Sequence, residues 1–390
     1  MEFTGFNTKA VHAGDLKIPQ IGNVVTPIFE NSTFIYPNSN EDVYTDNTRN
    51  LPYVYSRWGN PTIQSLEEKY KSLENCDYGL AFSSGMAAIS SVILSVLKKG
   101  DNLLAINELY GQTYSLFSRS LKNYGINIDF ISVDDLNNLN IYKKNYKAIY
   151  IESVTNPLLE VPDILKISKY CKENNIILID DATFASPYNQ KPVDLGVDIV
   201  VHSGTKYIAG HSDLLLGLAG TSSKEYYDNI VNARKTFGAI PDAFQSYLAY
   251  RGLKTLGLRM EKHNENGNKI SDYLYNSDYV AEVYYPGLKN NKYHNIAVKN
   301  LKSFGGMISF KLNGNLDAHK FIKNLEIPSY AASLGGVESL ITLPVETSHL
   351  SLTAEEREKT GITENLIRLS LGIEDYNDII NDFDNSFKKL

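Results

Sequence analysis

IILIDDATF (176–184) and DIVVHSGTKY (198–207) are the two stretches whose reading decides the fold. Each opens as a run of aliphatic, largely β-branched residues without polar–apolar alternation, then breaks into residues that can do chemistry. Such runs suit strands buried on both faces of a parallel sheet, where covering helices leave no side of the strand in water. Three similar runs precede them: LLAI (103–106), IDFISV (128–133) and AIYIES (148–153). Helices are predicted between the runs, over 85–98, 111–123 and 162–174, the last opened by the start signal VPD. This βαβα order predicts an open α/β sheet covered by helices.

After about residue 250 the pattern changes. A long helix is predicted over 254–276, followed by the strand-like pieces GGMISFKL (305–312), ESLITLP (338–344) and IRLSLG (367–372), with helices over 317–325 and 375–390. These read as a smaller α+β domain. The first 50 or so residues are rich in turn formers and poor in periodicity, as in an arm that packs on a neighbouring subunit. The expected division is an arm over 1–55, a large α/β domain over 56–250 and a C-terminal α+β domain over 251–390.

The net charge of -7 is spread without a basic block, which argues against nucleic acid as a partner. The two cysteines, Cys76 and Cys171, have no metal-like or redox-like spacing and fit the reduced thiols of a cytoplasmic protein. The start, MEFTGFNTKAVHAG, lacks the charged-then-apolar design of a signal peptide. The most apolar window, 80–97, holds five serines and a glycine, too polar to span a bilayer. No G-x-G-x-x-G turn, no Walker-type phosphate loop and no histidine pair at i, i+4 occurs, so dinucleotide, nucleotide-triphosphate and zinc chemistry of those kinds is not expected.

Four other features carry chemistry. Lys206 follows a buried run among Ser203, Gly204 and Thr205, where partial desolvation frees an amine and hydroxyls can bind phosphate. AFSSGMAA (81–88) runs from a strand into a helix, so the first N–H groups, at Gly85 and Met86, would face an anion. Asp180 and Asp181 end a buried strand, the place where open α/β sheets bind ligands, and a carboxylate there can keep a pyridine nitrogen protonated. Arg57 and Arg368 stand in polar, glycine-bearing segments and suit phosphate or carboxylate.

Taken in order, TKAVHAG (8–14), YSRWGNPT (55–62), SSGMAA (83–88), LYGQT (109–113), HSGTKY (202–207), SLGGVESL (333–340) and RLSLGIED (368–375) resemble the Cys/Met-metabolism family of enzymes that use pyridoxal 5'-phosphate (PLP). That family includes cystathionine γ-synthase, the cystathionine γ- and β-lyases, methionine γ-lyase and the O-acylhomoserine sulfhydrylases. The resemblance spans essentially the whole chain. It implies the aspartate aminotransferase type of fold (fold type I), with a mostly parallel seven-stranded sheet, and a homotetramer built as a dimer of dimers with shared sites.

At matching positions the resemblance implies roles. Lys206 is the lysine that carries PLP and shuttles protons, and Asp181 rather than Asp180 partners the ring nitrogen. Gly85, Met86, Ser203 and Thr205 hold the phosphate, joined by Tyr55 and Arg57 of a neighbouring subunit. Tyr110 stacks on the ring and assists proton transfer. Arg368, with Asn156 and Ser333, grips the substrate carboxylate, while Gln112 and Ala332 face the distal part of the substrate.

Departures from the pattern point to the substrate. Ala332 stands where cystathionine γ-synthases and γ-lyases usually have glutamate, and Val54 and Ser115 replace further polar anchors. An apolar distal pocket disfavours the charged tail of cystathionine, whose polar groups would lack partners. The expectation is therefore γ-elimination from L-methionine or L-homocysteine. Gln112, where methionine γ-lyases typically have cysteine, keeps cystathionine γ-lyase as an alternative and γ-replacement as a third. A PLP-binding homologue without turnover is the alternative of another class, disfavoured because every expected catalytic residue is present.

Overall fold

The computed structural model describes residues 3–35, 53–142, 144–314, 316–347 and 361–390. The first sheet has seven strands: β1 (Tyr78–Phe82), β2 (Asn102–Ile106), β3 (Asn127–Ile131), β4 (Ala148–Glu152), β5 (Ile177–Asp181), β6 (Ile199–Ser203) and β7 (Gly217–Thr221). Their order is β1-β7-β6-β5-β4-β2-β3, with β7 antiparallel to both its neighbours and the other pairings parallel. All five apolar runs of the sequence are strands here, and β4 and β5 are buried at every position, as a sheet covered on both faces requires. A second sheet, ordered β10-β11-β12-β9-β8, comprises β8 (Val280–Tyr284), β9 (Met307–Leu312), β10 (Ser329–Tyr330), β11 (Leu340–Thr342) and β12 (Leu366–Ser370).

Local chemistry sets the helix boundaries that matter to the cavity described below. Ser84 caps the helix Gly85–Val96 by accepting the Ala87 N–H at 3.1 Å, so the chain leaves β1 and turns at once into the helix. The VPD signal works through Asp163, whose carboxylate accepts the Lys166 N–H at 3.2 Å and starts the helix Ile164–Glu173. The helix expected over 111–123 is not continuous: an α-helical turn (Gly111–Ser115) widens over Leu116–Ser120 and tightens over Leu121–Tyr124.

The helix Phe6–His12 packs on its own chain's helices Pro61–Glu74 and Leu256–Tyr275. The buried Lys69 amine donates to the carbonyls of Ala10 (2.8 Å) and Val11 (3.1 Å), which the helix end leaves without intrahelical partners. Part of the expected arm, residues 36–52, lies outside the described residues. No described helix is long and apolar enough to cross a membrane.

β1 is fastened by a buried ion pair. Glu67 accepts from Arg234 Nη1 at 2.6 Å and from the Ala81 N–H at 2.9 Å, while the same Nη1 donates to the Ala81 carbonyl at 2.9 Å. Both side chains are 4% exposed, so removing one leaves the other's charge buried. Glu67→Ala is expected to cost about 3–5 kcal/mol in denaturant unfolding, as broken buried pairs do. A loss below about 1 kcal/mol, the level of an exposed pair, would contradict that account.

Candidate active site

The carboxyl ends of β4, β5 and β6 open into a cavity of about 510 Å³, where a mostly parallel sheet is expected to place a ligand. At its base Asp181 and Asp180 part company. Successive residues of a strand point to opposite faces. Asp181 lines the cavity and accepts from the Thr183 N–H at 3.0 Å, the Thr183 hydroxyl and the Tyr150 hydroxyl at 3.3 Å. Asp180 accepts from Ser153 Oγ at 2.6 Å and does not line the cavity. Burial raises the Asp181 carboxyl above its usual range, opposed by the Thr183 hydrogen bonds. Its three hydrogen-bond donors are uncharged, so a cation brought against it would relieve that cost.

On one side the helix start that follows β1 closes on the end of β6 and the start of β7. A Cβ on Gly85 would lie 2.9 Å from the Ser203 Cβ, and one on Gly217 would lie 2.0 Å from the Ser84 carbonyl oxygen. Only glycine at these two positions lets the helix N-terminus come up beside Ser203 and Thr205. Gly85, Met86, Ser203 and Thr205 all line the cavity. The first N–H groups of that helix have no acceptor one turn back, so backbone donors and two hydroxyls share one wall. This donor set fits a phosphate, and the Asp181 carboxylate fits a protonated ring nitrogen, so the residues present suit PLP.

Lys206 lies in the same cavity and donates to Ser333 Oγ at 2.8 Å. Burial, then the Arg368 charge, lowers its ammonium to about 8. Arg368 is 3% exposed; Nη1 donates to Asn156 Oδ1 at 3.1 Å and Nη2 to the Ser333 carbonyl at 3.0 Å. Its Nε is buried and has no partner among the described residues. Burial pulls the guanidinium down to about 10, which leaves it charged at neutral pH. Ser333 holds φ 86°, a left-handed conformation that costs a residue with a Cβ about 1–3 kcal/mol and is kept where a site requires it. Ala332 lines the cavity beside it.

Tyr110 lines the cavity with a 40% exposed side chain. Three expected residues do not line it. Gln112 is exposed on the helical turn after Tyr110. Tyr55 is 40% exposed, and Arg57 donates to the Lys235 carbonyl at 3.0 Å with its guanidinium 5.6 Å from the Tyr55 ring. Other residues line the cavity without having been anticipated. Glu152, 5% exposed, accepts the Tyr110 N–H at 2.7 Å; its signal was a carboxylate ending a buried run, as Asp181 does. Thr183 links two walls by donating to Asp181 and accepting the Ser203 N–H at 2.8 Å. Glu346, held by the Tyr330 hydroxyl and by His319 at 3.2 Å, also lines the cavity, and no spacing in the sequence pointed to it.

A model of the family described as Cys/Met metabolism PLP-dependent enzymes matches residues 7–388. An L-methionine gamma-lyase of Fusobacterium nucleatum subsp. nucleatum is 42% identical over 395 aligned positions, covering all of both chains. A cystathionine beta-lyase of Lactococcus lactis subsp. cremoris is also 42% identical, over 99% of this chain and 100% of its own. The crystal structure of a cystathionine gamma-lyase from Lactobacillus plantarum complexed with L-serine superposes with a TM-score of 0.93 at 37% identity, covering 99% of each chain.

The buried amine makes a pH prediction. An ordinary lysine is charged up to 10.5, whereas Lys206, lowered to about 8, is half neutral there. Acylation of Lys206 in cofactor-free protein, followed by peptide mass spectrometry, is therefore expected to rise with a midpoint near pH 8. A midpoint at the ordinary lysine value would contradict the burial argument.

Proposed function

The chain belongs to the Cys/Met-metabolism family of PLP-dependent enzymes, and we propose that it cleaves the Cγ–sulfur bond of a sulfur amino acid with a small apolar tail. L-Methionine or L-homocysteine would yield 2-oxobutyrate, ammonia and a thiol or sulfide. The observation that carries this reading is the apolar share of the cavity lining, which comprises Ala332, Ile89, Val154, Leu215 and Leu334. A thioether loses little there, whereas a buried ammonium or carboxylate would need partners.

In this reading the cavity residues divide the labour. Gly85, Met86, Ser203 and Thr205 hold the phosphate, together with Tyr55 and Arg57 of a second chain, and Lys206 carries the cofactor. That the latter two lie outside their own chain's cavity supports the sharing. Asp181 keeps the ring nitrogen protonated. When bound, PLP supplies a cationic ring that accepts the electron pair left at Cα. Arg368, with its unpartnered Nε, receives the substrate carboxylate, positioned by Asn156 and Ser333. The Lys206 amine takes the Cα proton, which its lowered basicity permits near neutrality. A second proton leaves Cβ, its electron pair forming the Cβ–Cγ double bond as sulfur departs from Cγ with a proton from the Tyr110 hydroxyl; water then releases the 2-oxo acid and ammonia. Gln112, exposed on the turn that Tyr110 opens, would meet the distal part of the substrate.

We read the assembly as a cytoplasmic homotetramer of two site-sharing dimers; sedimentation of the purified protein as a monomer would exclude it. Both cysteines are free and buried, which agrees with a reducing compartment.

A second reading rests on Glu346. A carboxylate lining the cavity could receive the distal ammonium of cystathionine and make the enzyme a cystathionine γ-lyase, with cystathionine γ-synthase a further alternative. The two readings separate when release of 2-oxobutyrate and pyruvate is measured side by side from L-methionine, L-homocysteine and L-cystathionine. The apolar-pocket reading predicts faster 2-oxobutyrate release from methionine or homocysteine; preference for cystathionine would contradict it, and pyruvate would indicate Cβ–sulfur cleavage. Ala332→Glu is expected to shift the kcat/KM ratio toward cystathionine by about tenfold or more, since a hydrogen bond to a charged group contributes about 1.5–3 kcal/mol. An unchanged ratio would remove Ala332 from the distal pocket.

A further inference from the structure

β4 and β5 end side by side on carboxylates. Glu152 pairs with Asp181 in the parallel register, which puts both side chains on the same face of the sheet, and both line the cavity. We propose that Glu152 is a positioning residue that carries a proton, fixes Tyr110 through its backbone, and leaves Asp181 the single anion presented to the cofactor. The proposal rests on the cofactor site described above but not on which sulfur amino acid is cleaved.

Neighbouring strands lie about 4.8 Å apart, and carboxylates on paired positions of one buried face resist ionising together. Their partners decide which keeps the proton. Asp181 accepts from the Thr183 N–H, the Thr183 hydroxyl and the Tyr150 hydroxyl. Among the described residues Glu152 accepts from one donor, the Tyr110 N–H at 2.7 Å. Hydrogen bonds donated to a carboxylate stabilise its charge, so the better-supplied group is the anion.

The surrounding charges act the same way. The first charge that Glu152 meets is Asp181 on β5, which disfavours a further negative charge beside it. Asp181 additionally feels His202 on β6, which favours its charge. Burial, followed by Asp181, raises the Glu152 carboxyl well above its ordinary value. Elsewhere in the cavity Lys206 and Arg368 are directed to Ser333 and Asn156.

A protonated carboxyl still offers its carbonyl oxygen to the Tyr110 N–H, so anchoring does not require the charge. Tyr110 opens the turn Gly111–Ser115 with a non-helical backbone and no side-chain cap, which makes the Glu152 contact the tie that connects it to the sheet. Such a pair, one carboxyl kept neutral beside one kept ionised, assigns separate roles to two chemically similar groups.

The test combines infrared spectroscopy with cofactor binding. In cofactor-free protein near neutral pH, the wild type minus Glu152→Gln difference spectrum is expected to contain the C=O stretch of a protonated carboxyl. Asp180, on the opposite face, cancels in that difference. PLP affinity, read from the visible absorbance of the bound cofactor, is expected to fall about tenfold or more further in Glu152→Ala than in Glu152→Gln, because alanine orphans the Tyr110 N–H and glutamine does not. Absence of the band, or equal loss of affinity in both variants, would overturn the proposal. Neither readout depends on the substrate, so failure here is distinguishable from failure of the γ-lyase reading.

Discussion

A guanidinium taken out of water must be answered by hydrogen bonds, and here those bonds join the two sheets. Arg368 comes from β12 of the second sheet, while Asn156 follows β4 of the first. The Ser333 carbonyl supplies another acceptor, and Ser333 Oγ in turn receives Lys206 from the end of β6. The cation is thus both a joint and a field source, since its charge adds to burial in lowering Lys206. A half-answered buried charge is costly, so the unpartnered Nε gives the site a standing preference for an anion. The geometry of the joint and the geometry of the cavity are the same geometry.

The opposite wall is governed by alternation along strands. One residue's shift exchanges the faces of a strand, so Asp181 reaches the cavity and Asp180 bonds Ser153 beneath it. The same rule places Glu152 beside Asp181. Close approach of backbone at Gly85 and Gly217 brings a helix N-terminus to this wall. Cation, amine, carboxylates and anion cradle therefore converge through ordinary constraints of sheet and helix, each residue held by a neighbour that also lines the cavity or supports its wall.

Much of this was legible in the sequence where local chemistry dominates. β2, β4, β5 and β6 announced themselves because both faces are buried and largely aliphatic, the half-buried edge strand β3 because of its apolar run, and Asp163 behaved as its start signal predicts. β7 did not, because GLAGT reads as a turn former. Its glycines are there for packing: Gly217 against the Ser84 carbonyl and Gly220 against the Cys76 sulfur, a Cβ at the latter meeting it at 2.8 Å. β8 was hidden by being an edge strand with exposed residues and an irregular register. The stretch 111–123 carried a helical pattern whose backbone departs from regular geometry after Ser115. In the cavity, motif residues were legible, and Glu152 carried the signal of a carboxylate ending a buried run. Thr183 and Glu346 were not legible, since Thr183 matters through its link to Ser203 and Glu346 through its place on the cavity lining. Gln112, Tyr55 and Arg57 lie outside the cavity of the single chain, consistent with the expectation that the latter two serve another subunit.

The central claim is that PLP is carried by Lys206 between the anion cradle and Asp181. It is tested most directly by reducing the PLP-loaded protein with borohydride, digesting it and locating the pyridoxyl group by mass spectrometry. The account predicts one modified peptide, bearing the group on Lys206. Modification at another lysine, or none in a protein that still binds PLP, would contradict it.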